Sequence, residues 1–319
     1  MGCFSVYVRR IFLFVSLPVI ECFMTQTAEQ TERRLDLQPL GPDSLTWQDF
    51  GSWRFHLMLP QAFVLQVAHP IIDAGVGEHS VYKTDPWGRA KRSTELLWPI
   101  VYARPQRAIE MGVKLYDLHR SIKGVDKHGK KYFALDPEAY SWVHITGYDA
   151  TLRMHELYGT SPTTRQRHAM FAEWRQLGKL MGIRDKDLPA TESEYWDYFR
   201  GMIRDKLEWG AVVQDLMRPE HYLEIPKPPN SKIPDTAWRM ILAVMGRFMR
   251  FNLRATLPDA FRETFHIPWT TNDERLFRLW CGTYRTMHAL TPKKWRLIPL
   301  ARKAYTDAQR HPEAYNSNN

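Results

Sequence analysis

Cysteine is nearly missing from this chain of 319 residues. There are three, Cys3, Cys22 and Cys281, an odd number with no Cys-x-x-Cys pair. That excludes a disulfide framework and the thiolate spacing of a structural zinc site, and it reads as cytoplasmic. Long apolar runs are missing too: IFLFVSLPVI at 11–20 falls well short of the roughly 20 residues that a membrane-spanning helix requires. Strand-like alternation of apolar and polar residues is almost absent, which leaves an all-α chain. The GVG at 75–77 has neither a preceding strand nor a following GK[ST], so no phosphate loop is present. The basic residues are scattered, without a nucleic-acid motif, although the net charge is +9 and the pI about 9.4. No nucleic acid is expected as a partner; the charge points to solubility or a peripheral membrane contact.

What is present is a large apolar inventory: 44% hydrophobic residues, including 12 Trp. That is enough for one large helical domain, assigned here to 35–310, with a polar tail at 311–319. Residues 1–34 carry two readings. Arg9-Arg10 before IFLFVSLPVI resembles the basic and apolar regions of a signal peptide, but Glu21-Cys22 interrupts the cleavage pattern. The Met-Gly-Cys start lacks the Ser or Thr of a myristoylation motif. MTQTAEQTERR from Met24 reads as an ordinary polar start, so a misplaced start codon stands beside a weak membrane-associating segment.

Helix signals run through the remainder. Trp47 to Leu59 reads as one helix, and Pro60 is expected to start a second that ends at His69-Pro70. Asp85 caps a helix with Pro86 in its first turn, which Pro99 should kink. Val125 to Tyr132 is a charged turn, and Asp136 and Gly159 bound a long helix. Ser161-Pro162 opens a helix to Met181, and Glu192 to Met217 reads as one more. Five prolines in Arg218 to Pro234 mark an extended connection, followed by two or three further helices.

Several residues on these helices can carry chemistry. Ile109, Val113, Tyr116, His119 and Ile122 recur at helical spacing, which places His119 on an apolar stripe and predicts that it is buried. Spacing alone leaves a hydrogen-bonded core histidine as the commoner reading and a metal ligand as the other. Arg89, Arg92 and Ser93 fall at i, i+3 and i+4 in the first turns of their helix. There the exposed N–H groups and the dipole attract an anion, unless the segment is simply a solvated helix start. Tyr140, His144, Tyr148, Thr151 and His155 form a polar stripe beside an apolar one, either a pocket wall or an exposed boundary. Asp73 and Glu78 are acid–base candidates or loop caps.

The order of HP at 69–70, DAGV, HS at 79–80, DPWGR, LHRSIKG, WVHITGYDATLRMHELYG, LPDAFRETFHIPW and PLARKAY resembles the family of rubber oxygenases (latex-clearing proteins) and the fungal oxygenase mpaB, from about Trp47 to Ala304. The resemblance implies an all-helical, globin-like core with additional C-terminal helices and one haem b held by a single histidine, which corresponds to His119. It also implies that an arginine, a lysine and a threonine lie over the haem. Their counterparts are Arg89, Arg92 and Ser93; since arginine does not ligate iron, a lysine-capped iron is not carried over. His144, in the WVH segment, is a pocket residue and second candidate ligand, with Tyr148 beside it. Cys281, between Trp280 and Gly282, is a poor thiolate ligand. The implied reaction is O2-dependent oxidative attack on a C=C bond of an isoprenoid or other apolar substrate. Alternatives are a haem-binding sensor without turnover and a membrane-associated helical protein that has lost haem.

Overall fold

The computed structural model describes residues 38–315, so the expectations for residues 1–34 lie outside it. Among the described residues there are thirteen α-helices. They are α1 (Leu45–Phe50), α2 (Trp53–Val67), α3 (Pro70–His79), α4 (Pro86–Tyr102), α5 (Pro105–Arg120), α6 (Pro137–Tyr158) and α7 (Thr164–Leu180), followed by α8 (Glu192–Asp205), α9 (Ala211–Met217), α10 (Asp235–Thr256), α11 (Asp259–Thr264), α12 (Thr271–Leu290) and α13 (Pro299–Arg310). The described residues from Pro39 onward form one unit, an all-α domain.

The core is organised on α6. Asp136 caps it, its carboxylate accepting the N–H groups of Glu138 and Ala139, and Gly159 ends it, as the sequence predicts. Trp142 Nε1 donates to the Leu65 carbonyl at 2.8 Å, and Gln61 Nε2 to Asp149 at 2.8 Å. Phe55, Met58, Ala62, Ala150, Met154 and Tyr158 pack between α2 and α6.

The structure corrects several expectations. Trp47 to Leu59 is not one helix: α1 ends at Phe50, and Ser52 caps α2. Pro60 does not start a helix: α2 runs through it from the Ser52 cap, because both halves bury apolar residues on α6, and tertiary packing outweighs one missing N–H. Glu192 to Met217 is two helices. At Lys206 the chain leaves α8, Glu208 N–H donates to the Ala68 carbonyl at 2.8 Å, and α9 begins after Gly210. The charged turn is a ribbon of β1 (Lys123–Val125) and antiparallel β2 (Lys131–Phe133), closed by Gly129 at φ +79° and by the Asp126 carboxylate, which accepts from His128 and Lys130 N–H. Finally, four helices follow the proline-rich connection. The fold also continues to Tyr315, whose ring meets Trp47 edge-on at 5.7 Å.

Candidate functional site

Helices α4 and α5 are joined by Ala103 and Arg104 alone, so they form an antiparallel hairpin. At 1.5 Å rise per residue, Arg89 on α4 and His119 on α5 both stand roughly 20 Å from that turn, at the same height. The sequence signature therefore converges on one end of the hairpin. This end has a thin core: none of the residues of α3 is fully buried, nor is any of α4 from Pro86 to Leu97. Ile71, Ile72, Val76, Leu96 and Leu97 are all half-buried. A Cβ at Gly75 would stand 3.7 Å from the Tyr132 ring and 4.0 Å from Ile122, three residues beyond His119, so α3 is a wall of the same region.

His119 is half-buried, not enclosed as its stripe predicts, because it lies in the last turn of α5. Its Nδ1 is 2.8 Å from the Leu115 carbonyl. A carbonyl can only accept, so Nδ1 carries the proton and Nε2 keeps its lone pair. Burial pushes the imidazole pKa below its ordinary value, the Leu115 bond opposing this only in part, and the ring is neutral at neutral pH. Tyr140 meets the ring edge-on at 5.6 Å and is itself fixed by donating its hydroxyl to the Met181 carbonyl at 2.9 Å. Behind this turn α5 lies directly on α7, where a Cβ at Gly112 would overlap the Leu180 carbonyl.

Arg89 and Arg92 differ. Arg92 is exposed and its Nη1 is 3.0 Å from Asp85, the residue that caps α4. The half-buried Arg89 guanidinium lies over the Phe63 ring, 4.4 Å from its centroid, and forms no ion pair among the described residues. Loss of hydration, then repulsion from Arg92, lowers its pKa. Ser93 is half-buried one turn along the same helix.

Asp73 and Glu78, five residues apart on α3, have different hydrogen-bond partners. Asp73 accepts the N–H groups of Val212 (2.8 Å) and Ala211 (3.3 Å) and so caps α9. Removing it as Asp73→Ala is expected to lower stability by about 1 kcal/mol, read from a denaturant midpoint; an unchanged midpoint would contradict the capping role. Glu78 accepts the Tyr132 hydroxyl at 2.5 Å, and that hydroxyl is also 3.1 Å from His79 Nε2. Burial and the Glu78 carboxylate push the Tyr132 phenol up to about 12. Glu78 and Tyr132 line a cavity of about 330 Å³ together with Pro70, Asp73, Gly77 and Val212.

His144 and Tyr148 are not brought to His119. The polar stripe of α6 turns towards α7, where His144 Nε2 donates to the Trp174 carbonyl at 2.6 Å and the Tyr148 hydroxyl lies 3.5 Å from the Arg167 carbonyl. The cavity beside them, about 20 Å³, has room for one water. Of that stripe it is Tyr140 that reaches His119. Burial holds the His144 pKa at about 4, and its Nδ1 is buried without a partner. Protonation therefore favours the unfolded chain: the stabilisation is complete above the unfolded pKa near 6.5 and is lost as pH falls from there towards 4, amounting to about 3 kcal/mol. A urea midpoint followed from pH 7 to 4.5 should drop for the wild type and drop less for His144→Gln. Parallel curves would contradict this.

Phe63, Gly112 and Tyr132 complete the site without having been singled out for it in the sequence, whereas Tyr140 was named only as one of the polar stripe. A tyrosine on the histidine's side of α6 was the one available signal. Among the described residues no cluster of three or more His, Cys, Asp or Glu is arranged to hold a bare metal ion. No single described helix is long and apolar enough to cross a membrane; α2 and α3 reach that length and composition only together, bent by 105°.

One end of the α4–α5 hairpin thus carries a neutral histidine and an arginine that forms no ion pair among the described residues. The family model for ER-bound oxygenase mpaB/B'/rubber oxygenase, catalytic domain, matches residues 47–286, and the chain belongs to that family. No curated protein and no solved structure matches it.

Proposed function

We propose that this protein is a haem b-dependent oxygenase that attacks a C=C bond of an isoprenoid or other apolar substrate with O2. One observation carries the reading: His119 has its Nδ1 proton committed to Leu115 and its Nε2 lone pair uncommitted, at the end of the α4–α5 hairpin that also bears the unpaired Arg89 guanidinium. That donor set fits a haem held by one histidine. His119 Nε2 would hold the iron, and Arg89 would hold a propionate through its planar fork. When bound, the haem supplies the activation of O2.

The chain's own residues supply the rest. The Leu115 carbonyl orients the imidazole and strengthens it as a donor, and Tyr140 limits its rotation. Ile71, Ile72 and Val76 offer an apolar wall that excludes water and suits a hydrocarbon chain. Glu78 holds the Tyr132 proton and is the acid–base candidate whose geometry suits proton transfer, whereas Asp73 is engaged as a cap. The test is O2 uptake and carbonyl formation by haem-loaded protein supplied with a prenyl alcohol. Uptake should match product, and Glu78→Gln should lower kcat by roughly 100-fold at unchanged haem content. Full haem loading without O2 uptake on any prenyl substrate would contradict the enzymatic reading and leave a haem-binding protein.

A further inference from the structure

Helix α10 is apolar on a face that nothing described covers. Met240, Ile241, Val244 and Met245 are exposed, Val244 by 69%, at spacings that put them on one side. The stripe continues onto α12, because Phe248 of α10 and Trp280 of α12 meet edge-on at 4.9 Å. There Leu276, Leu279, Met287 and Leu290 are exposed, Leu290 by 81%. Monomeric proteins rarely leave so extended an apolar surface without an occupant.

The charges beside the stripe identify that occupant. Between Asp235 and Thr256, α10 carries four arginines, Arg239, Arg247, Arg250 and Arg254, and one carboxylate, Asp235, which is paired with Lys227 at 2.5 Å. None of the four arginines forms an ion pair within 4 Å among the described residues; Asp235 and Asp273 act on Arg239 and Arg254 only from farther away. Arg247, Arg250 and Arg254 rise along the flank of the stripe and line a cavity of about 370 Å³ with Leu223, Gly246 and Phe251. Arg250 and Arg254 are held by the carbonyls of Met217 and Pro268, so two of the three guanidinium groups are already positioned. A second copy of the chain seated on this face would bring arginine against arginine. An anionic bilayer would meet the arginines with phosphates and the stripe with acyl chains.

We propose that the α10–α12 face docks the protein on an anionic phospholipid membrane, with the stripe entering the interface and the Arg247–Arg250–Arg254 groove holding a headgroup phosphate. This surface would collect an apolar substrate from the bilayer, but it stands without the haem reading, and its assay needs no haem. The full chain is co-sedimented with phosphatidylcholine vesicles, with or without phosphatidylglycerol. Binding should be at least about tenfold tighter with phosphatidylglycerol and should weaken with salt. Arg247→Glu and Val244→Glu alter exposed side chains without disturbing a described hydrogen bond, and each should weaken binding about tenfold or more while the circular dichroism is kept. Binding by both variants at wild-type strength would overturn the proposal, as would equal binding to neutral vesicles. So would a dimer in sedimentation velocity that Val244→Glu dissolves, which would assign the face to self-association. Binding of glycerol phosphate in solution without binding to vesicles would likewise overturn it, assigning the groove to a free phosphate ester.

Discussion

In haem-supplied preparations, the wild type should show a stoichiometric Soret band and His119→Ala should lose it. The imidazole has one nitrogen tied to the Leu115 carbonyl, so Nε2 is the only ring atom free to bind iron, and alanine removes it. Loss of an outer-shell partner commonly costs 10–100-fold in metal affinity, and loss of the ligand itself should cost at least about 100-fold. Stability should fall by only about 1 kcal/mol, because the side chain is half-buried and makes one hydrogen bond. Free imidazole added to His119→Ala should restore part of the band by occupying the vacated position. The control is His144→Ala, which should keep its haem, since that imidazole faces Trp174 beside a cavity of about 20 Å³. If His144→Ala lost the band and His119→Ala kept it, the ligand assignment would be reversed.

Gly112→Val should have the second large effect, on stability and on haem retention together. A side chain at 112 meets the backbone of Leu180, which belongs to α7 and cannot swing aside as a flexible side chain can. Overpacking of this kind costs roughly 1–3 kcal/mol and forces backbone displacement. Since His119 lies two turns further along the same helix, pushing α5 off α7 should also displace the histidine and weaken haem retention. The thermal midpoint should therefore drop, and haem content per chain should drop with it. Gly112→Ala should give the same effects, smaller. Wild-type stability and haem content in Gly112→Val would show that the α5–α7 contact does not position the site.

Much of this was legible before any coordinates. Asp85, Asp136 and Gly159 announce their helix ends because capping is a local hydrogen-bonding matter, and the structure places caps there. The hairpin end that gathers Arg89 and His119 was not among these expectations, because it follows from the observed helix bounds and the two-residue connection. Other features depend on partners distant in sequence and so leave no local trace. Pro60 looks like a helix start until α6 is present to bury both halves of α2. The break at Lys206 becomes visible only when Ala68 and Asp73 take the N–H groups of residues 208, 211 and 212. The polar stripe of α6 was a real periodicity, but which way it faced depended on the position of α7. Of its residues, Tyr140 reaches His119, while His144 and Tyr148 close a different interface.

The most direct measurement is a haemin titration of the full wild-type chain followed in the Soret region. A saturable band at one haem per chain, shifted from that of free haemin and abolished together with the His119 imidazole, is the predicted result. A titration curve that follows free haemin throughout would contradict the haem reading and leave an all-α member of the oxygenase family without its proposed cofactor.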